Sequence, residues 1–121
     1  TCSGNGCNGL DPYTTGCAAS FYEVAGVATG TLRVELEYSS LCGTNWTQIY
    51  ELNRRPGYLR GGVHRRAGVD GSTLDVDFQS RSFWWIDTDM VFAPHNLAIA
   101  CGTNTDPTIP GPLYGICTNW Y

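Results

Sequence analysis

Residues 32–38 read LRVELEY, with apolar and charged side chains alternating through the whole stretch. Successive side chains of a β-strand point to opposite faces of its sheet. The alternation therefore predicts an antiparallel strand with one apolar and one charged face, formed by Leu32, Val34, Leu36 and Tyr38 against Arg33, Glu35 and Glu37. Residues 73–79, TLDVDFQ, repeat the scheme, with Leu74, Val76 and Phe78 directed inward. These two strands decide the fold class, which is all-β and mainly antiparallel.

The rest of the chain supplies further short strands and turns. Strands are expected over residues 45–52, 58–63, 83–86, 90–92, 96–101 and 114–119, and only residues 21–29 are expected to form a helical turn. Pro56-Gly57 and Asp70-Gly71 predict hairpin turns. The 121 residues should form a single domain, 1–121, built as a small barrel or sandwich after an irregular segment rich in cysteine and glycine.

Six cysteines favour three disulfides formed in an oxidising compartment. The pairing predicted here is local, because short loops cost the unfolded chain least to close: Cys2–Cys7, Cys17–Cys42 and Cys101–Cys117. A zinc site would need a Cys-x-x-Cys or histidine-rich pattern, which the sequence lacks. We therefore expect no metal and no cofactor.

Charge and hydropathy limit the classes of partner and the cellular compartment that the sequence is compatible with. The net charge is −4 and all seven basic residues are arginine, which argues against nucleic acid as the main partner. No apolar run reaches the roughly 20 residues of a membrane helix. Together with the cysteines, this predicts a secreted or extracellular domain, and the start at Thr1-Cys2 is expected to be that of a processed chain.

Catalytic motifs are scarce in this sequence. There is no Gly-x-Ser-x-Gly elbow, and every cysteine is assigned to a disulfide. Two carboxylate pairs, Glu35/Glu37 and Asp75/Asp77, have the spacing that directs both members to one face of a strand. We expect both pairs to lie on solvent faces, where they keep the domain soluble. The domain is accordingly not expected to be an enzyme.

Large aromatic residues carry the leading functional hypothesis. Trp84 and Trp85 are adjacent, so on a strand one of them faces outward, and Trp84 is favoured as the exposed one. We expect a non-catalytic module that binds a glycan or cell-envelope polymer through aromatic stacking on Trp46, Tyr50, Trp84, Trp85 and Trp120.

A second hypothesis uses the arginine-rich stretch. Five of the seven arginines lie between residues 54 and 66. In this alternative the domain is a protein-binding effector, such as a protease inhibitor or a small toxin. Its contact would be the loop 54–60, through Arg54, Arg55, Tyr58 and Arg60.

The cysteine pattern also resembles a known family. The segments are CSGNGCNGLDP from Cys2, Gly16-Cys17, VELEYS from Val34 with Cys42 and Trp46, Ala100-Cys101-Gly102 and Cys117-Thr118. Together they resemble the actinobacterial domain of unknown function family 2690. Members of that family look like secreted stand-alone domains or like the outer part of proteins whose other end is a helix-turn-helix module. This sequence shows no such module, so the resemblance implies the secreted form. It implies no functional residues, because that family has no assigned activity.

Overall fold

A computed structural model describes residues 2–54, 58–66, 74–80, 83–94, 98–104 and 115–121. Their strands are β1 (Phe21–Thr29), β2 (Leu32–Ser39), β3 (Thr44–Glu51), β4 (Leu59–Arg65), β5 (Leu74–Ser80), β6 (Trp85–Asp87), β7 (Val91–Phe92), β8 (Ala98–Asn104) and β9 (Ile116–Cys117). Two short 3-10 helices, Gly4–Cys7 and Cys17–Ala19, precede them. The predicted turns Pro56-Gly57 and Asp70-Gly71 and the side chain of Phe78 lie outside what is described.

The strands form two open sheets in which every pairing is antiparallel. The first sheet runs β1-β2-β3-β6, with β7 also paired to β3, and the second runs β5-β4-β8-β9. The all-β, antiparallel prediction is therefore confirmed. The apolar faces of both sheets share one core, to which Leu32, Val34, Leu36 and Ile49 contribute from the first and Leu59, Val63 and Ala100 from the second.

The expected hairpin between β3 and β4 is wrong. β4 pairs with β5 and β8, so the chain leaves the first sheet after β3 and enters the second. Glycines let the two sheets approach closely at this point. A Cβ added to Gly102 would lie 2.7 Å from Cδ1 of Ile49, and one added to Gly61 would overlap the same side chain. The side chain of Ile49 thus fills the space that these two glycines leave open.

The helical turn expected over residues 21–29 is also wrong, because this segment is strand β1. It pairs with β2 along its whole length, from Phe21 opposite Ser39 to Thr29 opposite Leu32. A register shift between Glu23 and Ala25 breaks the period of two that would have identified the strand. Because of this bulge, the sequence of β1 lacks the regular alternation of a strand, and the segment was predicted as a helical turn.

The cysteine-rich segment packs against one end of the first sheet. Cys7, Cys17, Trp46 and Met90 form a second buried cluster, which Cys2 and Cys42 border. The structure pairs Cys2 with Cys7, Cys17 with Cys42 and Cys101 with Cys117, which confirms the predicted connectivity. Among the described residues, no helix is long and apolar enough to cross a membrane.

Candidate functional site

The outer face of the first sheet, opposite the core, carries three rows of side chains set by the strand register. One row joins Arg33, Tyr50 and Trp85, the next joins Glu35, Gln48 and Asp87, and the last joins Glu23, Glu37 and Trp46. Residues paired in register on neighbouring strands project to the same face, about 5 Å apart. The face therefore collects acidic and aromatic groups from four strands.

Aromatic rings form a ridge at one end of this face. The ridge consists of Tyr50, Phe83, Trp84 and Trp85. The centroid of Trp84 lies 6.4 Å from that of Tyr50 and 6.5 Å from that of Trp85, and Phe83 lies 6.5 Å from Trp85. The guanidinium of Arg54 lies over the Trp84 ring, 5.3 Å from its centroid. Phe83 and Trp85 are exposed, so the ridge presents apolar ring surface to solvent.

The exposures of the two adjacent tryptophans are the reverse of what was expected. Trp85 is 41% exposed, whereas Trp84 is half-buried. Strand β6 begins only at Trp85, and its central residue Ile86 is the one that faces the core. Trp84 therefore lies before the strand begins. The alternation of side chains in the predicted strand 83–86 does not apply to it.

A second group on the same face is the acidic pair formed by Glu35 and Glu37. Arg33 donates from Nε to Oε2 of Glu35 at 2.9 Å and from Nη2 to Oε1 of Glu23 at 2.5 Å. Glu37 is only 1% exposed, and its carboxyl group lies near that of Glu35. Burial raises the pKa of Glu37 to about 8, and the negative charges of Glu35, Glu23 and Asp87 add to the shift. Glu37 therefore holds its proton at neutral pH.

The expectation that both carboxylates of the Glu35/Glu37 pair lie in solvent is wrong for Glu37. Its position in the β2 alternation does direct it away from the core. However, the cysteine-rich segment and the ring of Trp46 close over this end of the outer face. The pair Asp75/Asp77 behaves as expected, because both residues are exposed.

Asp87 lies beside this acidic pair and lacks hydrogen-bond partners. Both of its carboxylate oxygens are buried with no hydrogen bond of standard geometry, and the buried Nε1 of Trp46 is equally unpaired. Burial raises the pKa of Asp87 to about 6, while the nearby Tyr13 hydroxyl and Trp46 N–H oppose the shift. Asp87 also raises the pKa of Tyr13, to about 12, although burial contributes more.

The buried carboxylate of Glu51, on the core face, has the hydrogen-bond partners that Asp87 lacks. This carboxylate accepts hydrogen bonds from the Thr31 hydroxyl at 2.9 Å, the Asn53 N–H at 3.2 Å and the Asn104 amide at 3.3 Å. Buried carboxylates are normally satisfied in this way. At Asp87 the nearby donors of Trp46 and Tyr13 lie beside the carboxylate without a hydrogen bond of standard geometry.

The structure brings together only part of the predicted binding set. Tyr50, Trp84 and Trp85 meet in the ridge. Trp46 is fully buried, so it has no ring face to offer a ligand, and Trp120 lies under Arg66 beside the second sheet, 4.9 Å from its guanidinium.

The residues of the alternative protein contact are spread apart. Arg54 belongs to the ridge, and Arg60 reaches Asp77 of β5 at 3.4 Å. Tyr58 is half-buried, and Arg55 lies outside the described residues. The protein-contact hypothesis stays a prediction.

The described residues contain one group whose metal-ligating atoms converge. These are the sulfurs of Cys2, Cys7, Cys17 and Cys42, all within 4.8 Å of one another. They already form two disulfides.

Sequence reasoning missed Asp87 and Glu37 as functional candidates. Asp87 is not among the predicted site residues, and Glu37 was expected to lie in solvent. The available signal was the register of β2 with β3, which places Glu37 opposite the large ring of Trp46. An acidic residue paired across a sheet with a buried tryptophan is itself removed from water.

Comparison with known proteins identifies the family. No curated protein and no solved structure matches the chain. A family model described as "Protein of unknown function (DUF2690)" matches residues 5–96. The match takes in strands β1 to β7 and with them the ridge, the acidic pair, Trp46 and Asp87. The chain therefore belongs to the DUF2690 family of proteins of unknown function.

Proposed function

We propose that this domain binds a neutral polysaccharide, such as a cell-envelope glycan, along the outer face of the first sheet. The observation that carries the proposal is the ridge, in which the Trp84 ring lies 6.4 Å from that of Tyr50 and 6.5 Å from that of Trp85, and Phe83 and Trp85 are exposed. Flat apolar rings pack against the C–H faces of sugars, and adjacent polar side chains bond the hydroxyls. The three disulfides support an extracellular setting for such binding.

Polar groups for the sugar hydroxyls lie on the outer face next to the ridge, at Arg33, Glu35 and Gln48. Glu35 and Arg33 form an ion pair that is partly exposed, and Gln48 is half-buried between Glu35 and Asp87. A carboxylate, a guanidinium and an amide offer both donors and acceptors. These side chains would therefore orient a sugar that stacks on the ridge.

The charge of the face selects against anionic polymers. Glu23, Glu35 and Asp87 supply carboxyl groups here, and Arg33 is engaged by two of them. A polymer of uronic acids would bring like charges together, which costs affinity. Neutral chains of glucose or N-acetylglucosamine have no such penalty.

Calorimetric titration with cellohexaose and chitohexaose tests this proposal. We expect Trp85→Ala to weaken binding by about fivefold or more, because truncation of an aromatic anchor typically costs more than about 1 kcal/mol. Trp120→Ala is the matched control, since it removes a partly exposed tryptophan beside the other sheet and should leave the affinity unchanged. Polygalacturonate should not bind. If neither hexasaccharide bound the unaltered protein, or if both variants lost binding equally, the proposal would be wrong.

A further inference from the structure

The turn that follows β3 contains a residue with a strained backbone. Among the residues that the structure describes, Arg54 is the one non-glycine residue with a positive φ, at 55°. L-amino acids avoid this left-handed region because their Cβ crowds the following carbonyl oxygen. Such a conformation persists only where the surrounding structure enforces it, and it is concentrated at binding and catalytic sites.

Hydrogen bonds within the turn enforce the conformation of Arg54. Its N–H donates to the Glu51 carbonyl at 2.9 Å, which closes the turn. The buried carboxylate of Glu51 accepts the Asn53 N–H at 3.2 Å. The Leu52 N–H donates to the Thr31 carbonyl at 2.6 Å. Three successive backbone N–H groups are therefore fixed, and the chain direction at Arg54 is fixed with them.

The same turn lies beside the ridge. The Glu51 N–H donates to the Trp84 carbonyl at 2.7 Å, so the end of β3 is bonded to the residue that precedes β6. The chain then reverses, and the Arg54 guanidinium lies over the Trp84 ring, 5.3 Å from its centroid. A cation in this position is attracted by the π electrons of the indole. The strained residue therefore places its side chain on the ridge.

The guanidinium of Arg54 differs from those of other surface arginines in its partners. Arg33 and Arg60 form ion pairs with carboxylates, whereas Arg54 forms none within the described ranges of the chain. A guanidinium carries five N–H donors and no acceptor. The contact with Trp84 is made through the positive charge, so donors remain for a ligand on the neighbouring ring of Tyr50, whose centroid lies 6.4 Å from that of Trp84.

We propose that Arg54 donates a hydrogen bond to the acetamido carbonyl of a sugar bound on the ridge, so that the domain prefers chains of N-acetylglucosamine to chains of glucose. This inference rests on the proposed function, because the ridge must first hold the sugar. It assigns Arg54, which the sequence suggested for a protein contact, to recognition of the glycan.

The acetamido group is the sugar substituent that suits the charges of this face. A group that only donates needs an acceptor, and a carbonyl oxygen accepts without carrying a proton of its own. Hydrogen bonds from a charged donor are also stronger than those between neutral groups. A carboxylate on the sugar would meet the carboxyl groups of Glu23, Glu35 and Asp87 on the same face, which opposes its binding. The amide carbonyl gains the hydrogen bond without this repulsion.

Calorimetric titration of the unaltered protein and of Arg54→Gly with chitohexaose and with cellohexaose tests this inference. The unaltered protein should bind chitohexaose more tightly by about tenfold or more, as expected for one hydrogen bond from a charged donor. Glycine adopts a positive φ without strain, so Arg54→Gly keeps the turn and removes only the guanidinium. This variant should lose most of the preference, while its affinity for cellohexaose changes by less than about threefold.

Arg60→Ala is the matched control. It removes a half-exposed arginine of the second sheet, whose partner is Asp77 at 3.4 Å, and it should keep the full preference for chitohexaose. Arg54→Asn gives a second reading, because asparagine also tolerates the left-handed region and its side chain is too short to replace the guanidinium. Near-ultraviolet circular dichroism checks that each variant keeps its tertiary packing.

The outcomes separate this inference from the proposal on which it rests. If neither hexasaccharide binds the unaltered protein, both are wrong. If cellohexaose binds as tightly as chitohexaose, or if Arg54→Gly and Arg54→Asn keep the preference for chitohexaose, the ridge still binds the sugar but Arg54 does not select it. An equal loss of preference in Arg60→Ala and Arg54→Gly would also contradict the role of Arg54.

Discussion

Replacing Glu37 by glutamine should stabilise this protein at alkaline pH. In the folded chain the pKa of Glu37 is about 8, against 4.5 for an ordinary glutamate. Between these values the folded state holds a proton that the unfolded state has released, so stability must fall as the pH rises. Each unit of pKa difference is worth about 1.4 kcal/mol, which gives a loss of about 3 kcal/mol at pH 7 and about 5 kcal/mol above pH 8.

A glutamine at this position avoids that loss. It is nearly the same size, and its amide carries no charge at any pH, so no buried charge forms as the pH rises. At pH 4 the free energies of unfolding of the two proteins should agree within about 1 kcal/mol, because both side chains are then neutral. Above pH 8, Glu37→Gln should be the more stable by several kcal/mol.

Urea titrations from pH 4 to pH 9, with the disulfides intact, measure this difference. The slope m should be unchanged, so that a shift in midpoint reports stability alone. Asp77→Asn is the matched control, since this carboxylate is half-exposed and its neutralisation should shift stability by less than about 0.5 kcal/mol at every pH. Parallel pH curves for Glu37→Gln and the unaltered protein would refute the burial of an acidic Glu37.

The remaining predictions concern the ridge, the disulfides and metals. Trp85→Ala should leave the domain folded and cost less stability than Trp84→Ala, as thermal unfolding will show, because Trp85 is the more exposed ring. Loss of Cys17–Cys42, which closes 25 residues, should lower the free energy of unfolding by about 3–4 kcal/mol in a double alanine variant measured in urea. EDTA should leave the melting temperature unchanged, and a fall of several degrees would show that a metal contributes.

The fold class followed from the alternation in β2 and β5, because period two is a local property of the chain. The partners of each strand did not follow, since pairing depends on contacts between distant residues. β4 reads as the second half of a hairpin after β3, yet Gly61 and Gly102 allow its sheet to pack across Ile49 instead. Disulfide pairing was predictable because all three pairs close short loops.

The site was less predictable than the fold, for a related reason. Trp85 and Tyr50 were recognised as binding candidates from their size alone. The acidic character of the site depends on burial of Glu37, which requires the cysteine-rich segment to cover one end of the outer face. The period of β2 reports which face a residue occupies, but it carries no information on what covers that face.

The most direct test of the account is a nuclear magnetic resonance titration that follows the indole N–H signals of the four tryptophans. Adding chitohexaose should shift the signals of Trp84 and Trp85, which belong to the ridge. The signal of Trp120, beside the second sheet, should stay in place. A shift confined to Trp120, or no shift at Trp84 and Trp85 at saturating sugar, would contradict the assignment of the outer face as the binding site.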